Sequence, residues 1–584
     1  MIGKATIDDA ILKRLVSSID ARGPDYSSRF IELDSVCGVR LSLKSSVLHL
    51  RGSKLQKQPL SDCDENILLF NGQIYQFDGY PLHKDQSDTR FLSEKLNSCT
   101  TAKEIAICLS KITGPFAVIY WHKNLNHLFY CRDLFGRKSL CALIDTGQHP
   151  IILSSICCKQ SGDDTSTWIE VDCSGIHCLD LGFSNRLKYT LFARDIDIVY
   201  HKTVKCQSRT TTDDAVLMID LGQDLGALSK DVRSWTDFTK KDHNLALKDF
   251  ENLLLESVKK RLEYNRPDCI ICRSESSQES RNGCFHSKVA VAFSGGIDST
   301  ILALAIDKLT DHKETIDLVT VAFRDNAPDR ISVQEAIIEL IEVCPWRNWR
   351  LILCDIDKEG LQRERDSIIK HLIHPCDTVV DDSLGCACWF IGRAEGRAID
   401  SCKVSQANSV SIYNDFCRYN PTAKPCIAIQ GIEYHYRCPA SMMFAGTGID
   451  EQLGGYSSHR AGWTSSGIEG VVDEISFQMR RIWTRNMGRD DRVYSHHGRD
   501  LKLPYLDESL VSFLNRLPVG LKMDLSETLE VGPKLLIREL AVEWGLKKTS
   551  RRIKRALQFG TKIANFENAK EKGGDKCSRL ISSV

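Results

Sequence analysis

One stretch constrains the fold of this chain more than any other, and it reads KVAVAFSGGIDST from Lys288 to Thr300. Val289 to Phe293 form a short apolar run with β-branched members, which is typical of a strand buried on both faces. Ser294 to Ser299 then bring glycines, serines and an aspartate directly before a helical pattern that continues to Leu309. The sequence therefore predicts a strand, a glycine-rich turn and the start of a helix.

This predicted turn is a candidate anion site. Backbone N–H groups at a helix start lack intrahelical partners and, with the helix dipole, favour a phosphate. Glycines let the backbone approach such a group, and serine hydroxyls add donors. The stretch lacks the Gly-x-x-x-x-Gly-Lys-Ser/Thr spacing, which excludes the common P-loop. The alternative interpretation is a strand-to-helix turn that binds no ligand.

The pattern after this stretch predicts a parallel sheet. Apolar runs at Asp317–Phe323 and Arg350–Leu353 continue a spacing of about thirty residues, which is typical of βαβ units. Between them we expect a helix from Ser332 to Val343, capped by Ser332. Another strand, Ser441–Phe444, leads into the glycine-rich segment Ala445–Tyr456. Because ligands bind at the carboxyl ends of such strands, both glycine-rich segments should face one crevice.

The residues SGGIDS match the pyrophosphate-binding loop of the ATP-pyrophosphatase enzymes, which split ATP between the α and β phosphates. With GTGIDEQLGGY, Leu503–Asp507 and Lys554–Gly560 in the same order, the segment 288–564 resembles the synthetase domain of asparagine synthetase. The resemblance implies an α/β domain with a doubly wound parallel sheet of the ATP-pyrophosphatase type. ATP and Mg²⁺ are the cofactors it implies. Asp490 to Arg492 are interpreted as a structural ion-pair turn instead.

The resemblance also implies roles for individual residues. The pyrophosphate would be bound by Ser294, Gly295, Gly296, Asp298 and Ser299. Asp298 and Asp450 would hold Mg²⁺, Val321 and Phe323 would flank adenine, and Gly446 would lie beside an acyl-adenylate. Lys554 is the candidate for neutralising pyrophosphate charge during catalysis, with Lys534 as the second choice.

Thr447 departs from the family pattern, which has a glutamate at this position. The side chain of threonine is uncharged, so it cannot attract a cation as a glutamate does, and it cannot act as a base near neutral pH. ATP binding is therefore better supported than aspartate as the carboxylate substrate.

The first 200 residues predict a different, layered domain. Short strand-like runs alternate with turn residues, and one early helix fits Ala10 to Ile19. Ser87 is expected to cap a helix near Thr89. The strand-like runs include Val47–Leu50, Ile67–Phe70, Phe116–Tyr120, His127–Tyr130 and Ile151–Leu153.

The motifs of residues 1 to about 180, including Arg22-Gly-Pro-Asp25, resemble the class II glutamine amidotransferase domain, an αββα sandwich. The resemblance implies a glutamine pocket. Arg51 would hold the glutamine carboxylate, Asn71 and Gly72 would form the oxyanion hole, and Asp88 would bind the amine. These residue types suit the chemistry, since a carboxylate needs a fork of donors and an oxyanion needs preorganised N–H groups.

The nucleophile of that family, a cysteine at position 2, is missing because Ile2 stands there. The nearest cysteine, Cys37, cannot carry a free α-amine. Either the glutaminase is inactive or the start of the chain is mis-assigned. We expect no glutamine hydrolysis, with free ammonia as the nitrogen source.

The remaining segments are predicted to be connections. Residues 201–287 form a linker with one packing helix over 245–262, and 565–584 form a polar tail. Cys269 and Cys272 make a lone Cys-x-x-Cys pair in the linker. Without a second pair at zinc spacing, free thiols in a polar loop are favoured over a metal site.

Composition excludes several classes of protein. Lys+Arg and Asp+Glu are both 77, so no basic field favours nucleic acid. The sequence contains no apolar run of about 18 residues, so no membrane span is expected. The N-terminus lacks the apolar segment behind a basic start that is typical of a secretory signal. The 24 cysteines are irregularly spaced, which favours reduced thiols in a cytoplasmic protein.

Both halves together are most similar to the asparagine synthetase domain-containing proteins, a divergent branch of the asparagine synthetase family. The leading hypothesis is an amide ligase that acts on ATP, aspartate or another carboxylate, and glutamine or ammonia. The alternative is a nucleotide-binding pseudoenzyme with a regulatory or scaffolding role. An enzyme that thiolates or aminates a nucleic acid is a distant third.

Overall fold

A computed structural model describes most of the chain. The described ranges are 9–34, 40–144, 150–158, 167–181, 188–193, 199–203, 228–231, 233–265, 269–274, 286–401 and 434–566. The expectations for Ile2, for Cys37 and for nearly all of the polar tail fall outside these ranges. In the part of the chain that the structure describes, no helix combines the length and apolar character needed to cross a membrane.

The first half of the chain folds into four layers, α, β, β and α. Its strands are β1 (Tyr26–Ser27), β2 (Ile31–Asp34), β3 (Arg40–Leu43), β4 (Ser46–Val47), β5 (Leu60–Ser61), β6 (Ile67–Gly72), β7 (Gln76–Phe77), β8 (Tyr80–Pro81), β9 (Ile112–Thr113), β10 (Phe116–His122), β11 (His127–Arg132), β12 (Cys141–Ile144), β13 (Pro150–Ser154), β14 (Thr167–Glu170), β15 (Gly175–Asp180), β16 (Lys188–Ala193) and β17 (Val199–Thr203). Seven of them form an antiparallel sheet in the order β17-β16-β15-β11-β10-β6-β5, and β13-β12-β14 form a second sheet.

The alternation of side chains along β10 builds the two inner layers. Val118 and Tyr120 enter the core beneath the helices Asp88–Asn97 and Ala102–Ser110, whereas Ala117 and Trp121 enter the core on the opposite face. Successive strand residues point to opposite faces, so one strand supplies both cores.

The outermost layer is the helix Asp9–Arg22, which packs Ile11 and Leu15 against the sheet of β12 to β14. The predicted helix over Ala10–Ile19 is thus confirmed and extended. Ser87 caps the helix Asp88–Asn97 by accepting from the Arg90 backbone N–H at 3.4 Å, as predicted.

The end of one strand and the end of the first domain differ from the sequence predictions. The strand predicted over Val47–Leu50 ends at Val47, because Asp25 accepts the backbone N–H of His49 at 2.7 Å and diverts it from the sheet. The predicted boundary at residue 200 falls within β17, which pairs with β16 as far as Thr203.

A long helix, Lys240–Glu263, connects the two halves. Thr239 and Asp242 form a capping box at its start, with the Asp242 N–H donating to the Thr239 hydroxyl at 3.3 Å. Phe250 and Leu254 are fully buried against the second domain. The helix predicted over 245–262 is therefore confirmed, and a short helix, Ile270–Ser274, follows it.

The second half is built on another seven-stranded sheet. Its strands are β18 (Val289–Ala292), β19 (Ile316–Ala322), β20 (Trp349–Asp355), β21 (Glu395–Asp400), β22 (Tyr434–Arg437), β23 (Met442–Phe444) and β24 (Asp500–Lys502). Its α-helices are Ile297–Asp307, Pro328–Val343, Lys358–Glu364, Lys370–Ile373, Val379–Arg393, Ile449–Gln452, Ser457–Arg480, Gly488–Ser495, Glu508–Arg516, Leu535–Glu543 and Leu557–Gly560.

The strand order is β22-β21-β20-β19-β18-β23-β24. The chain moves outward from β18 through β19 and β20, and later returns to place β23 on the other side of β18. Neighbouring helices diverge at such a switch point, so β18 and β23 end beside a crevice.

The predicted parallel sheet is confirmed for β18, β19, β20, β23 and β24. At one edge the structure differs, because β21 runs antiparallel to both of its neighbours, β20 and β22. The helix Val379–Arg393 ends at Ala394, whose left-handed backbone (φ 49°) turns the chain directly into β21. Arg397 pairs with Leu353, so β21 starts where β20 ends and must run back along it.

The prediction that Ser332 caps a helix is also wrong, because that helix spans Pro328–Val343. Ala327 is its cap residue and Pro328 its first helical residue. Proline suits that position, since its fixed φ matches a helix and it lacks only an N–H that would be unpaired there.

A buried lysine gives the second domain a pH-dependent stability. Lys522 is 1% exposed and donates to the Leu514 carbonyl at 2.9 Å, and burial lowers its pKa to about 7. Between pH 7 and the ordinary lysine value near 10.4, the unfolded chain binds more protons than the folded one. The free energy of unfolding should therefore rise with pH in this window.

This prediction is tested with Lys522→Met, which keeps the length of the side chain without a charge. Relative to this variant, the wild type should gain stability by up to about 1.4 kcal/mol per pH unit between pH 7 and 9. Denaturant unfolding at several pH values measures the difference. A difference that is independent of pH would show that Lys522 does not titrate in this window.

Candidate functional site

A cleft with a volume of about 780 Å³ lies at the carboxyl ends of β18 and β23. Ser294 and residues 296–299 follow β18 and line one wall, and residues 445–448 with Asp450 follow β23 and line another. Gly295, between Ser294 and Gly296, is not part of the lining. The prediction that both glycine-rich segments face one crevice is confirmed.

The loop after β18 needs its first glycine. Gly295 has φ +69°, and a Cβ there would clash with the backbone of Ser332 on the neighbouring helix. The Gly296 N–H donates to the Ser294 hydroxyl at 3.3 Å, and Arg552 donates to the Gly295 carbonyl. The loop is therefore held by one hydrogen bond within it and by one from Arg552, while its helix start faces the cleft.

Two lysines from the end of the chain bind the two cleft aspartates. Lys534 Nζ donates to Asp298 Oδ1 and Oδ2 at 2.8 and 2.7 Å and lies 2.5 Å from Asp450 Oδ1. Lys554 Nζ forms an ion pair with Asp450 Oδ2. Burial opposes ionisation of Asp450, but the two ammonium groups hold its pKa well below the ordinary value.

Lys534 itself has an unusual backbone, with φ +61° directly before the helix Leu535–Glu543. This conformation is unfavourable for a side chain with a Cβ and is retained where the surroundings enforce it. It directs the ammonium group between Asp298 and Asp450, where it is 1% exposed.

The two aspartates fit a divalent cation. Carboxylates from the first turns of two helices converge on one positively charged group. Mg²⁺ is bound in proteins by one or two carboxylates together with phosphate oxygens. Glycines keep this space open. A Cβ on Gly446 would lie 2.9 Å from the Asp298 Cβ, and one on Gly455 would lie 2.8 Å from the Lys534 Cε and would overlap Asp450.

The charge of the cleft favours a polyanion. Eight basic side chains line it against five acidic ones, so the described lining carries an excess of positive charge. The basic residues are Arg481, Arg485, Arg489, Lys534, Arg538, Arg552, Lys554 and Arg555, and the acidic residues are Asp298, Asp329, Asp450, Glu451 and Asp490.

Sequence reasoning missed several of these residues. Glu451 is buried beside Asp450 and accepts the Tyr456 hydroxyl at 2.7 Å; burial raises its pKa. Burial also raises the pKa of Asp329 to about 7. The basic run around Lys554 was a signal for Arg552 and Arg555, and Asp329 stands in the segment Ala327–Arg330 shortly after the predicted strand Asp317–Phe323.

The predicted adenine-flanking residues are separated by the structure. Val321 lines the cleft. Phe323 does not line it, because its ring is buried 6.0 Å from the Phe390 ring and 5.7 Å from the Phe566 ring. Thr447, the residue that departs from the family pattern, lines the cleft together with Val321.

A second cavity, of about 200 Å³, lies in the first domain and brings together all four predicted glutamine-pocket residues. Arg51 already donates hydrogen bonds to acceptor groups of the protein there. It donates to Asp88 Oδ1 at 2.6 Å, to the Ile74 carbonyl at 2.5 Å and to the His83 carbonyl at 2.7 Å, and it stacks 4.3 Å from the Tyr264 ring centre.

The pocket therefore presents no open guanidinium fork to a ligand carboxylate. Burial raises the pKa of Asp88 to about 7, although the Arg51 guanidinium opposes this shift. Asn71 and Gly72 end β6 and border the same cavity.

Buried ion pairs join the two domains. Asp491 accepts from Arg22 Nη2 at 2.6 Å, from Lys138 Nζ at 3.2 Å and from the Ser139 N–H at 3.0 Å. Arg492 donates to Glu170 at 2.5 Å. The interpretation of Asp491 and Arg492 as structural ion-pair residues agrees with these contacts, whereas Asp490 lines the cleft and pairs with Arg489.

Comparisons with known proteins fit both halves. The glutamine amidotransferase domain model matches residues 45–158. Asparagine synthetase domain-containing protein 1 of Mus musculus is 31% identical over 97% of this chain and 96% of its own length. An asparagine synthetase domain-containing protein of Drosophila melanogaster is 28% identical over 93% of each chain. A solved allosteric regulatory enzyme of purine biosynthesis matches with 11% identity and a TM-score of 0.22, over 57% of this chain and 77% of that one, which supports no inference.

Proposed function

The chain belongs to the asparagine synthetase domain-containing protein family, and from this premise we propose that it is an ATP- and Mg²⁺-dependent amide ligase. A substrate carboxylate, with aspartate as the first candidate, attacks the α-phosphate of ATP and releases pyrophosphate. A nitrogen nucleophile then attacks the acyl carbon, and AMP leaves with its bonding electrons.

The observation that carries the proposal is the convergence of Asp298, Asp450, Lys534 and Lys554 at one cleft. Two acidic and two basic groups from distant parts of the chain meet beside a helix start, which is where a phosphate chain would bind. The second domain is proposed to have the ATP-pyrophosphatase fold on the same grounds. The switch point at β18 has the loop placement that such a site requires.

In this proposal Ser294, Gly295, Gly296 and Ser299 bind the β and γ phosphates through N–H and hydroxyl groups. Lys554 and Lys534 offset the negative charge that develops on the leaving pyrophosphate. The lysines exchange carboxylate partners for phosphate oxygens, so the ion pairs of the free protein would open on binding.

Asp298 and Asp450 would hold Mg²⁺, which supplies charge neutralisation to the phosphate chain when it is bound. Lys534 must withdraw from between the two carboxylates for this to occur, since its ammonium group lies between them. Gly446 and Gly455 leave the two aspartates free to approach each other.

For the nitrogen source, free ammonia is better supported than glutamine. The Arg51 guanidinium donates hydrogen bonds to Asp88 and to the carbonyls of Ile74 and His83. These hydrogen bonds would have to break before it could bind a glutamine carboxylate. The similarity to a glutamine amidotransferase domain then reflects a retained fold.

Exchange of labelled pyrophosphate into ATP tests the proposal. With Mg²⁺ and aspartate, the purified chain should catalyse exchange that depends on the carboxylate, and ammonia should yield the amide and AMP. Other amino-acid carboxylates serve as competitors in the same assay. ATP binding without exchange for any carboxylate would contradict the ligase and leave the pseudoenzyme.

That alternative, a nucleotide-binding pseudoenzyme, is favoured by one observation. Lys534 and Lys554 already neutralise both metal-binding candidates in the free protein. A site in this state would bind a nucleotide without Mg²⁺. Calorimetric measurement of ATP binding with and without Mg²⁺ distinguishes the two functions, because only the ligase requires the metal.

Gly455→Ala should weaken the site by displacing Asp450. A Cβ at residue 455 overlaps the Asp450 carboxylate and lies 2.8 Å from the Lys534 Cε. We expect exchange to fall at least about tenfold, the cost of a misplacement that removes about 1.4 kcal/mol from the transition state. Gly360→Ala is the control, because this glycine lies in the helix Lys358–Glu364 outside the cleft, has no positive φ, and an added Cβ would have only side-chain atoms as its nearest neighbours. Equal effects of the two changes would contradict the prediction.

A further inference from the structure

The linker contains a cluster that the proposed function does not use. Cys269 and Cys272 are buried, and their sulfurs lie 3.4 and 3.5 Å from Nδ1 of His286, an exposed residue. The three potential ligand atoms all lie within 4.8 Å of one another. The prediction of free thiols in a polar loop considered only the Cys-x-x-Cys pair and missed the histidine, which is 14 positions after Cys272.

We propose that Cys269, Cys272 and His286 bind a zinc ion that fastens the linker to the second domain. In a tetrahedral zinc site the metal lies about 2.3 Å from each sulfur and about 2.0–2.1 Å from a nitrogen, which places sulfur and nitrogen about 3.6 Å apart. The two observed sulfur–nitrogen separations already match this value.

Hydrogen bonding alone explains the cluster less well. A neutral imidazole has a single acceptor nitrogen, so one Nδ1 cannot accept well-aligned protons from two thiols at once. A cation between the three atoms satisfies all of them. In addition, the Cys272 backbone N–H donates to Cys269 Sγ at 3.3 Å, a contact that fixes the position of this sulfur beside the other two ligand atoms.

The donor set indicates the class of metal. Two thiolates and an imidazole suit zinc or another borderline or soft divalent ion, whereas Mg²⁺ and Ca²⁺ require oxygen ligands. The described residues supply three ligands, and the fourth position is left to water or to another group. The exposure of His286 gives a metal access from solvent.

The position of the cluster indicates a structural role. His286 lies three residues before β18, and the Ile270 N–H donates to the Pro439 carbonyl at 2.8 Å, three residues before β23. The cluster is therefore at the amino ends of the two strands whose carboxyl ends carry the cleft loops. A metal there would close the chain between Cys272 and His286 and restrict the unfolded state.

Metal analysis of the full chain tests the proposal. The protein is expressed without a histidine tag, kept reduced, and passed over a weak chelating resin that removes loosely bound ions. We expect about one zinc per chain, and cobalt substitution should give thiolate-to-metal absorption bands. Cys272→Ser and His286→Gln should lose the metal and the bands.

Two matched controls accompany these variants. Cys344→Ser changes another buried cysteine, whose sulfur contacts Asp307 at 3.1 Å, and His83→Gln changes another exposed histidine. Both should retain wild-type zinc. Since His286 is exposed, His286→Gln should fold even if the buried Cys272→Ser does not, so it decides the outcome.

A second readout separates a built site from adventitious binding. Stripping the metal with a strong chelator should lower the Tm of the wild type and leave that of His286→Gln unchanged, because metal binding to the folded state stabilises it by mass action. A metal-free wild type, or a His286→Gln variant with wild-type zinc and the same response to chelator, would overturn the proposal. Neither result depends on ATP, so failure here is distinct from failure of the proposed ligase.

Discussion

Replacing Asp298 by asparagine should reduce carboxylate-dependent pyrophosphate exchange by at least about a hundredfold, the scale on which enzymes lose rate when one preorganised charge is removed. The substitution keeps the shape of the side chain, but the amide carries no charge to hold Mg²⁺. Lys534 keeps its second partner, Asp450, at 2.5 Å in this variant. The fold is therefore expected to survive, and the loss should be confined to the chemistry.

The experiment compares exchange, ATP affinity and thermal stability of the same preparation. Asp366→Asn makes the same chemical change at an exposed residue, whose carboxylate accepts from Gln362 one helical turn away at 2.8 Å, and it should leave exchange unchanged. ATP should still bind Asp298→Asn through the glycine-rich loop, with a weaker dependence on Mg²⁺. Exchange at the wild-type rate would remove Asp298 from the mechanism.

Replacing Asp491 by asparagine should destabilise the junction between the two domains by about 3–5 kcal/mol, because breaking a buried ion pair leaves charges without compensation. Asp491 is fully buried and bonds to Arg22 and Lys138, which are themselves 8% and 4% exposed at the side chain. The variant would leave Arg22 buried in the interface and facing a neutral amide, whereas Lys138 would keep Asp500 as its partner. Denaturant unfolding followed by a probe in each domain measures the loss.

Asp34→Asn is the matched control for this change. Asp34 pairs with Arg40 at 3.1 Å, but both side chains are largely exposed, at 72% and 68%. Exposed pairs contribute about 0–1 kcal/mol, since water and salt screen them. If the two variants lost similar amounts, burial would not be the reason for the importance of Asp491.

The pH dependence provides an independent check on Asp491. Burial opposes its ionisation, but Arg22 and Lys138 hold its pKa well below the ordinary value. Its contribution is thus fully present above the pKa of an unfolded aspartate, near 3.9, and is lost as the pH falls toward the lower pKa of the folded state. The wild type should lose more stability than Asp491→Asn on acidification below about pH 4.

Local patterns in the sequence were enough to predict the central elements of the second domain. The apolar run ending at Phe293 and the glycines after it predicted β18, the loop and the helix start, because burial on both faces and a positive φ at Gly295 each select particular residue types. The helical stripe of the linker was predicted in the same way, and the structure extends it to Lys240–Glu263. The family that the chain resembles was predicted from the order of such motifs along the sequence.

Features that depend on the direction of the chain between elements were predicted less well. The antiparallel course of β21 results from the reversal at Ala394, a residue with no sequence signal for a left-handed backbone. Phe323 is the last residue of the predicted strand, yet contacts with Phe390 and Phe566 keep its ring out of the cleft. These outcomes depend on packing between segments that are far apart in sequence.

By itself, the sequence determined which segments become buried strands, which turn carries glycines, and which family the chain resembles, because these properties depend on side chains within one or two turns of each other. Only the tertiary structure decided that Lys534 lies between Asp298 and Asp450, that Arg51 is already bound by the protein, and that His286 meets Cys269 and Cys272. These contacts are between residues that are tens to hundreds of positions apart in the sequence. They exist because packed layers bring the ends of different elements to the same point, which no local pattern encodes.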